Sequence, residues 1–293
     1  MRTPRSNALH TVFLNGDFLP LEEARISPMD RGFLFGDGIY EVIPSYDGRL
    51  VGFGPHLARM SDGLASLEID PGMSEADWRA IADALIARNG GGDIALYFHV
   101  SRGADKRRDH AYPYDIAPTI YAFAYPIPPA PVADKASAVL YRVGTAQDMR
   151  WKRCNIKSTA LLGNVMHYQQ GKSSGSDETI LYNADGEVTE AAACNVFAVV
   201  GGEVITPALD EQKLPGITRQ MLLDILRRHT DLDVEERVLS LDELRAAEEV
   251  WLTSSSKEVV PVVALDGATV GKGEAGDVWL RAQSAFATHK FDY

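Results

Sequence analysis

The chain has 293 residues, more than one hydrophobic core usually holds, so two domains are expected. Its formal net charge of -12 argues against nucleic acid or an anionic membrane surface as a partner. Two cysteines are too few for a disulfide framework. Together with a polar amino-terminal segment, Met1 to His10, which lacks the apolar run of a signal peptide, they predict a soluble cytoplasmic protein.

The amino-terminal part of the chain predicts a mixture of strands and helices. Thr11 to Pro20 has apolar residues on both sides of Asn15-Gly16, a dipeptide that favours a tight hairpin turn. Apolar residues at helical spacing predict a helix over Pro55 to Glu68. A second helix should follow Ser74, whose side chain can cap it. Further strands are expected at Tyr40 to Tyr46, Ile94 to Ser101 and Thr119 to Tyr125.

A proline-rich segment divides the chain. Prolines donate no ladder hydrogen bond, and the four between residues 126 and 133 predict an extended interdomain linker over 126–135. It would separate a small amino-terminal α/β domain, 1–125, from a larger domain, 136–293. The elements expected in the larger domain are a strand at Ala138 to Val143, helices at Thr159 to Gln170 and Thr218 to His229, and hairpins turning at Asp185-Gly186 and Gly201-Gly202. This pattern is mixed α/β, without the regular alternation of a Rossmann sheet.

Common nucleotide and metal motifs are incomplete. Gly171-Lys172-Ser173 ends like a phosphate-binding loop, but Met166 stands where the earlier glycine belongs. Gly36-Asp37-Gly38 begins like a dinucleotide fingerprint, but Glu41 replaces its third glycine. None of the seven histidines forms a compact metal-binding pair. No metal ion is therefore predicted.

Four separated motifs carry the functional signal. They are Arg31 to Glu41 (RGFLFGDGIYE), Arg150 to Lys157 (RWKRCNIK), Val188 to Glu190 (VTE) and Leu214 to Arg219 (LPGITR). Together they resemble the fold type IV aminotransferases over nearly the whole chain, and most closely the D-amino acid aminotransferases. The resemblance implies pyridoxal 5'-phosphate as cofactor, a larger domain with a β-barrel-like core, and a homodimer.

The resemblance assigns Lys157 to the Schiff base with the cofactor and Glu190 to the pyridine nitrogen. Such a lysine needs a neutral amine, which partial burial or the positive charge of Arg150 and Arg153 would favour. A carboxylate at the pyridine nitrogen keeps that nitrogen protonated, so that the ring is a better electron sink. Without the resemblance, both residues would be interpreted as ordinary surface groups.

The cofactor phosphate and ring have their own expected ligands. Leu214 to Arg219 opens a predicted helix, where free amide groups and the positive end of the dipole suit a dianion. The residues expected around the cofactor are Arg59 as the charged partner of the phosphate, Leu214 against the ring, Gly216, Ile217 and Thr218 at the helix start, and the hydroxyls of Ser254 and Ser255. The run Ala191 to Cys194 departs from the family, whose members often carry hydroxylated residues there.

Substrate recognition is expected to depend on Tyr40 and on the basic loop, Arg102 to Pro113. Tyr40 resembles the family's active-site tyrosine, whose hydroxyl can donate to a carboxylate. Arg108-Asp109-His110 resembles the Arg-x-His arrangement that holds the substrate α-carboxylate in D-amino acid aminotransferases, since an arginine fork matches a carboxylate. The loop is one residue longer than the family pattern, so Arg107 is the alternative to Arg108. A solvated basic loop is the other interpretation.

These assignments predict a transaminase that moves the amino group of D-alanine, D-glutamate or D-aspartate to 2-oxoglutarate or pyruvate by a ping-pong mechanism. Lys157 would be both covalent anchor and proton shuttle. Fold and cofactor do not fix the substrate. The alternatives within the family are a branched-chain L-amino acid aminotransferase, an (R)-selective amine transaminase and a 4-amino-4-deoxychorismate lyase. A non-catalytic binding protein with the same fold is the alternative outside catalysis.

Overall fold

The structure is a computed structural model, and it describes residues 10–293. The polar amino-terminal segment therefore lies almost wholly outside the described residues, and its interpretation stays a prediction. The chain forms two compact units. The first contains the described residues up to Pro129 together with Lys157–Ala160, and the second contains Ala130–Ile156 and Leu161–Tyr293.

The first unit is a sheet with three helices. Its strands are β1 (Thr11–Leu14), β2 (Asp17–Pro20), β3 (Gly38–Tyr46), β4 (Arg49–Leu50), β5 (Ile94–Ser101) and β6 (Thr119–Pro126). Its helices are α1 (Arg31–Phe35), α2 (Phe53–Ser66) and α3 (Glu75–Arg88). The strands run antiparallel in the order β2-β1-β6-β5-β3-β4.

Local chemistry explains how these elements begin and turn. Asn15 and Gly16 have positive φ angles of 49° and 105°, which a two-residue hairpin turn requires, so the predicted hairpin is confirmed. Ser74 and Asp77 form a reciprocal capping box at the start of α3, as expected. The core between sheet and helices includes an edge-to-face contact between Trp78 and Phe98, whose ring centroids are 5.5 Å apart.

The second unit has nine strands and four helices. Its strands are β7 (Tyr141–Gln147), β8 (Glu178–Tyr182), β9 (Val188–Ala191), β10 (Asn195–Val200), β11 (Glu203–Pro207), β12 (Val234–Arg237), β13 (Glu249–Ser254), β14 (Glu258–Leu265) and β15 (Ala268–Thr269). Its helices are α4 (Leu162–Ser173), α5 (Ile217–His229), α6 (Leu241–Ala246) and α7 (Asp277–His289).

The sheet of the second unit is mixed. Its order is β12-β11-β10-β13-β14-β7-β8-β9, and β15 pairs with β14. The pairs β11/β12, β14/β7 and β7/β8 are parallel, and the others are antiparallel. Phe197, Trp251, Trp279 and Phe286 are fully buried around β10, β13 and α7. The mixed α/β class and the two hairpins expected here are confirmed.

The starts of two predicted elements are wrong by three residues each. The first strand of the second unit begins at Tyr141 rather than Ala138, because its ladder with β14 starts where Tyr141 pairs with Val262. Helix α4 begins at Leu162 rather than Thr159, because Thr159 is bonded to β3: its N–H donates to Gly38 O at 2.9 Å. Long-range pairing thus overrides local propensity at both places.

Within residues 10–293, no helix combines the length and the apolar character that a membrane span requires.

Candidate active site

Lys157 is fixed to the start of β3 by main-chain contacts. Tyr40 N donates to Lys157 O at 3.1 Å, and Ile39 and Ser158 form a β-bridge. The Lys157 side chain is half-buried, and its Nζ atom lies 4.2 Å from the centroid of the Tyr40 ring. The structure therefore brings together two of the residues expected in catalysis. Tyr40 in turn stacks on Tyr97 of β5, with ring centroids 5.6 Å apart.

A buried ion pair lies beside this lysine on β3 and α2. Arg59 donates two hydrogen bonds of 2.7 Å to Glu41, from Nε to Oε1 and from Nη2 to Oε2. His56 Nδ1 is 2.7 Å from Glu41 Oε2. Although burial alone would raise it, the charges of Arg59 and His56 hold the pKa of Glu41 well below its usual range. Burial lowers the pKa of His56. We call Lys157, Tyr40, Glu41, His56 and Arg59 the lysine cluster.

Two residues of the basic loop that were expected to bind the substrate, Arg108 and His110, lie against the ring of Phe35. The Arg108 guanidinium lies 5.1 Å from the centroid of Phe35, and the His110 ring lies 5.4 Å from it. Both side chains are exposed, as is that of Arg107. Phe35 is the last residue of α1, three residues before β3 begins. Arg108 and His110 thus converge on the segment that leads to Tyr40.

In the second unit, Glu190 lies on β9, and its carboxylate is buried and fully bonded. Arg150 Nη1 donates to its Oε1 at 2.5 Å, and the amide of Leu214 donates to its Oε2 at 2.9 Å. Arg150 is shared, because its Nε and Nη2 also bind Asp148 at 3.0 and 2.7 Å. Burial raises the pKa of Glu190, although Arg150 acts against this shift. The positive charge of Arg150, which was expected to favour a neutral amine on Lys157, is therefore balanced by the carboxylates of Glu190 and Asp148.

Asn195 joins Glu190 to the turn before α5. Its Nδ2 donates to Leu214 O at 2.9 Å and to Glu190 Oε2 at 3.3 Å. A Cβ atom on Gly216 would lie 1.9 Å from Asn195 Oδ1, so a side chain there would displace Asn195 from its two hydrogen bonds. We call Glu190, Arg150, Asp148, Asn195 and Leu214 the glutamate cluster. The structure thus brings together Glu190 and Leu214, which belong to two separated motifs of the sequence.

The residues expected at the phosphate include a helix start with free donors. Ile217 and Thr218 are the first residues of α5 and are buried, and Gly216 supplies no side-chain cap. The first amide groups of such a helix have no intrahelical acceptor, which suits an anion. On β13, Thr253 Oγ1 is buried without a hydrogen-bond partner among the described residues. Because buried hydroxyls are rarely left unpaired, these donors fit a phosphate group.

The run Ala191 to Cys194 is buried except at Ala193 and offers no hydroxyl group. Cys194 Sγ lies 3.6 Å from Lys257 Nζ, which is also 3.6 Å from Glu178 Oε2. Burial raises the pKa of Cys194 to about 12, so its thiol stays protonated. The departure from the family pattern thus removes side-chain donors here. The hydroxyl groups nearby in the chain are those of Thr253 and Ser254, at the end of β13, and of Ser255, in the turn that follows.

A family model named Amino-transferase class IV matches residues 38–265. The chain belongs to the class IV aminotransferases. Among curated relatives of this class IV aminotransferase, the D-alanine aminotransferase of Bacillus licheniformis is 37% identical, with 94% of this chain and 95% of that protein aligned. The D-alanine aminotransferase of Staphylococcus haemolyticus is 34% identical, with 94% and 96% aligned.

Solved structures show the same fold. The T.th. branched-chain amino acid aminotransferase with pyridoxamine 5'-phosphate superposes with a TM-score of 0.88 at 22% identity, covering 97% of this chain and 95% of that one. The fold type IV class predicted from the sequence is thereby confirmed. As a class IV aminotransferase the protein is a pyridoxal-phosphate-dependent enzyme, and the donors at the start of α5 and at Thr253 are consistent with that cofactor.

Sequence reasoning missed several residues of this class IV aminotransferase that the geometry makes prominent. Asn195 is the polar residue of the otherwise apolar strand Asn195–Val200, and Glu41 is a charge within the apolar strand β3. A buried polar group inside an apolar strand needs a partner, which was the signal available. The pairing of Arg150 with Glu190 carried no such local signal, because the two residues are far apart in the sequence.

Proposed function

We propose that the chain is a D-amino acid transaminase, which moves the amino group of D-alanine, D-glutamate or D-aspartate to 2-oxoglutarate or pyruvate by a ping-pong mechanism. The observation that carries the proposal is the convergence of Arg108 and His110 on Phe35. Two cationic or polar groups placed side by side suit a carboxylate of a small substrate. The curated D-alanine aminotransferases that resemble the chain support the same assignment.

The proposal gives each cluster a task toward pyridoxal 5'-phosphate. Lys157 would carry the cofactor covalently. The carboxylate of Glu190 would keep the pyridine nitrogen of the cofactor protonated. The residues proposed around the phosphate and ring are Arg59, Leu214, Gly216, Ile217, Thr218, Ser254 and Ser255, to which the unpaired hydroxyl of Thr253 is added. When bound, the cofactor supplies an electron sink for the electron pair left on the substrate Cα.

The residues of the chain would then manage protons and orientation. Lys157 Nζ would take the proton from the substrate Cα as a general base and would return it, as a general acid, to C4′ of the cofactor. The Tyr40 ring, 4.2 Å from this nitrogen, limits the directions in which the amine can turn. Glu190 stays in place because Arg150, Asn195 and the Leu214 amide hold both of its oxygens.

Recognition of the α-carboxylate is assigned to Arg108, His110 and the Tyr40 hydroxyl. An arginine forms two parallel charge-assisted bonds with a carboxylate, which a lone lysine cannot do. Arg107 lies next in the chain and is also exposed, so it is the matched alternative. A homodimer and a cytoplasmic location complete the proposal, and both rest on the resemblance and composition described above.

A panel of half-reactions tests the substrate class. The purified enzyme is mixed with D- and L-alanine, D- and L-glutamate, L-leucine and (R)-1-phenylethylamine, and the absorbance of the bound cofactor is followed. The proposal expects rapid conversion with the D-amino acids. Conversion with L-leucine but not with D-alanine would instead identify a branched-chain enzyme.

Arg108→Ala tests the carboxylate site, with Arg107→Ala as its matched control. Losing a charged hydrogen bond to the substrate should raise KM for D-alanine by about ten- to hundredfold in Arg108→Ala. Arg107→Ala should leave KM within about twofold of the wild type. The opposite pattern would transfer the role to Arg107, and no effect in either variant would remove the basic loop from substrate recognition.

Borohydride reduction tests the covalent anchor. Reduction of the holoenzyme followed by peptide mapping should find the pyridoxyl group on Lys157. A label on any other lysine, or none, contradicts the assignment independently of substrate.

A further inference from the structure

Arg31, the first residue of α1, reaches into the main chain of the basic loop. Its side chain is buried, with the residue only 3% exposed. Nη1 donates to Asp109 O at 2.5 Å, and Nη2 donates to His110 O at 3.3 Å. These carbonyl groups belong to the two residues that follow Arg108. The Arg31 guanidinium therefore binds the main chain of the segment that carries the side chains of Arg108 and His110.

The Arg31 guanidinium is itself fixed by Asp37. Arg31 Nε donates to Asp37 Oδ2 at 2.8 Å, and the same carboxylate accepts two bonds from Arg102, of 2.8 and 3.1 Å. Arg102 also lies 3.5 Å from the centroid of the Tyr112 ring, farther along the loop. Because a guanidinium is planar and rigid, fixing one edge at Asp37 sets the direction of the edge that faces the loop.

The two ends of the loop are joined by a different residue. Asp30 is buried and accepts from Ser101 Oγ at 2.7 Å, at the end of β5, and from Thr119 Oγ1 at 2.6 Å, at the start of β6. Asp30 thus closes the base of the loop. The main-chain N–H of Arg31 also contacts the base, where it donates to Gly103 O at 2.9 Å. The side-chain contacts of Arg31 with the loop lie farther out, at residues 109 and 110, so a substitution of the side chain affects the tip rather than the base.

The tip has little apolar burial to hold it in place. Residues 106 to 112 are all exposed. Exposed segments with few packed side chains open at low free-energy cost, so their conformation depends on specific polar contacts. For Asp109 and His110, those contacts include the fork of Arg31.

We propose that Arg31 is a positioning residue for substrate recognition: by binding the carbonyl groups of Asp109 and His110, it sets the direction in which Arg108 and His110 point. The inference rests on the proposed role of Arg108 in binding the α-carboxylate. It assigns to a residue of the Arg31 to Glu41 motif a task that is carried out through the main chain of the loop. A displacement of about 1 Å in such a group is enough to reduce binding strongly.

Steady-state kinetics of the holoenzyme with D-alanine and 2-oxoglutarate test the proposal. Arg31→Gln should raise KM for both substrates by about tenfold, because both carry the carboxylate, and should leave kcat within about threefold. Arg31→Lys keeps the charge and one donor direction, so its KM should be intermediate. Arg79→Gln is the control, since Arg79 is an exposed arginine paired with Asp83 on α3 and should change neither parameter.

A variant cycle shows whether Arg31 acts through Arg108 and His110. If it does, adding Arg31→Gln to a protein that already carries Arg108→Ala and His110→Ala should raise KM by less than about twofold beyond that protein alone. A further tenfold rise in the triple variant would mean that Arg31 acts by another route, and the proposal would be wrong. A fall in kcat or in cofactor content with unchanged KM in Arg31→Gln, or unchanged values throughout, would overturn it equally.

Limited proteolysis of the apoprotein with trypsin gives a readout that needs no activity. Cleavage after Lys106, Arg107 and Arg108 should be at least about fivefold faster in Arg31→Gln than in the wild type, while cleavage at other sites stays unchanged. An unchanged cleavage rate at the tip contradicts the positioning role. The two proposals fail in different ways: if Arg108→Ala leaves KM unchanged, the carboxylate assignment falls and this inference with it, whereas a normal KM in Arg31→Gln beside a raised KM in Arg108→Ala removes this inference alone.

Discussion

Two buried glutamates, Glu41 in the first unit and Glu190 in the second, are both paired with an arginine, yet their pKa values move in opposite directions. Glu41 receives two bonds from Arg59 and lies beside His56, and its pKa is held far below the usual range. Glu190 receives one bond from Arg150, which also serves Asp148, and burial raises its pKa. Burial of the two side chains is similar, so it does not explain why their pKa values move in opposite directions. The cause is the neighbouring positive charge, because Arg59 binds both oxygens of Glu41 whereas Arg150 is shared between Glu190 and Asp148.

The contrast separates a structural carboxylate from one suited to chemistry. Glu41 has its charge compensated within the protein, so it fixes α2 on β3 and holds Arg59 in place. Glu190 is compensated only in part, so an additional positive charge nearby would stabilise it further. A protonated pyridine nitrogen is such a charge, and this is the property required by the role proposed for Glu190.

The largest expected effect is on activity. Glu190→Gln keeps the shape of the side chain but removes the charge, and kcat should fall by about 10²- to 10³-fold. Glu41→Gln should reduce kcat by less than about tenfold. Both variants are compared by initial rates at saturating D-alanine, with cofactor content measured by absorbance. An equal fall in kcat in the two variants would contradict the assignment of different roles to Glu190 and Glu41.

Stability should show the reverse order. Removing one partner from a buried ion pair leaves the other uncompensated, so Glu41→Gln should lose about 3 kcal/mol of stability and lower the Tm of the apoprotein by roughly 5–10 °C. Asp83→Asn breaks an exposed pair with Arg79 and should cost less than about 0.5 kcal/mol. Differential scanning fluorimetry of both proteins measures this, and equal Tm values would show that the Glu41 pair is not structural.

The smallest expected effect is a pH dependence that arises at His56. Burial lowers its pKa from the usual 6.5, so the unfolded chain takes up this proton first as the pH falls. The contribution of His56 is therefore complete above pH 6.5 and is lost below it, by at most about 1.4 kcal/mol per pH unit. Glu41 acts in a lower window: its stabilisation is present above its usual pKa of 4.5 and is lost as the pH falls farther.

Substituting the histidine isolates its share of this pH dependence. His56→Gln should flatten the decline in Tm between pH 7 and pH 5.5, whereas His10→Gln, at an exposed position, should leave it unchanged. A decline as steep in His56→Gln as in the wild type would assign it to other groups.

Local chemistry accounts for the parts of the fold that the sequence predicted well. The hairpins at Asn15-Gly16, Asp185-Gly186 and Gly201-Gly202 depend on backbone angles that these residues adopt readily, and the capping box at Ser74 involves neighbours only. The starts of β7 and α4 were misplaced because distant strands decide them. No window of neighbouring residues contains that information.

The candidate site divides in the same way. Lys157, Glu190 and the turn at Leu214 could be picked out because their motifs are contiguous and resemble a known family. The contacts that give them their properties join residues far apart in the chain, such as Arg150 with Glu190, and Arg31 with the main chain of the basic loop. Charge alone did not show which arginine binds which carboxylate.

Finally, the bridge between Ile39 and Ser158 and the bond from Tyr40 to Lys157 O have a consequence for how far the amine can travel. With its backbone pinned to a strand edge, the nitrogen moves only by torsion of its own methylene chain, so its reach is a fixed radius about a stationary Cα. Aminoethylation of Lys157→Cys gives a side chain slightly longer than lysine. The activity of that protein would measure how much change in the reach of the amine the site tolerates.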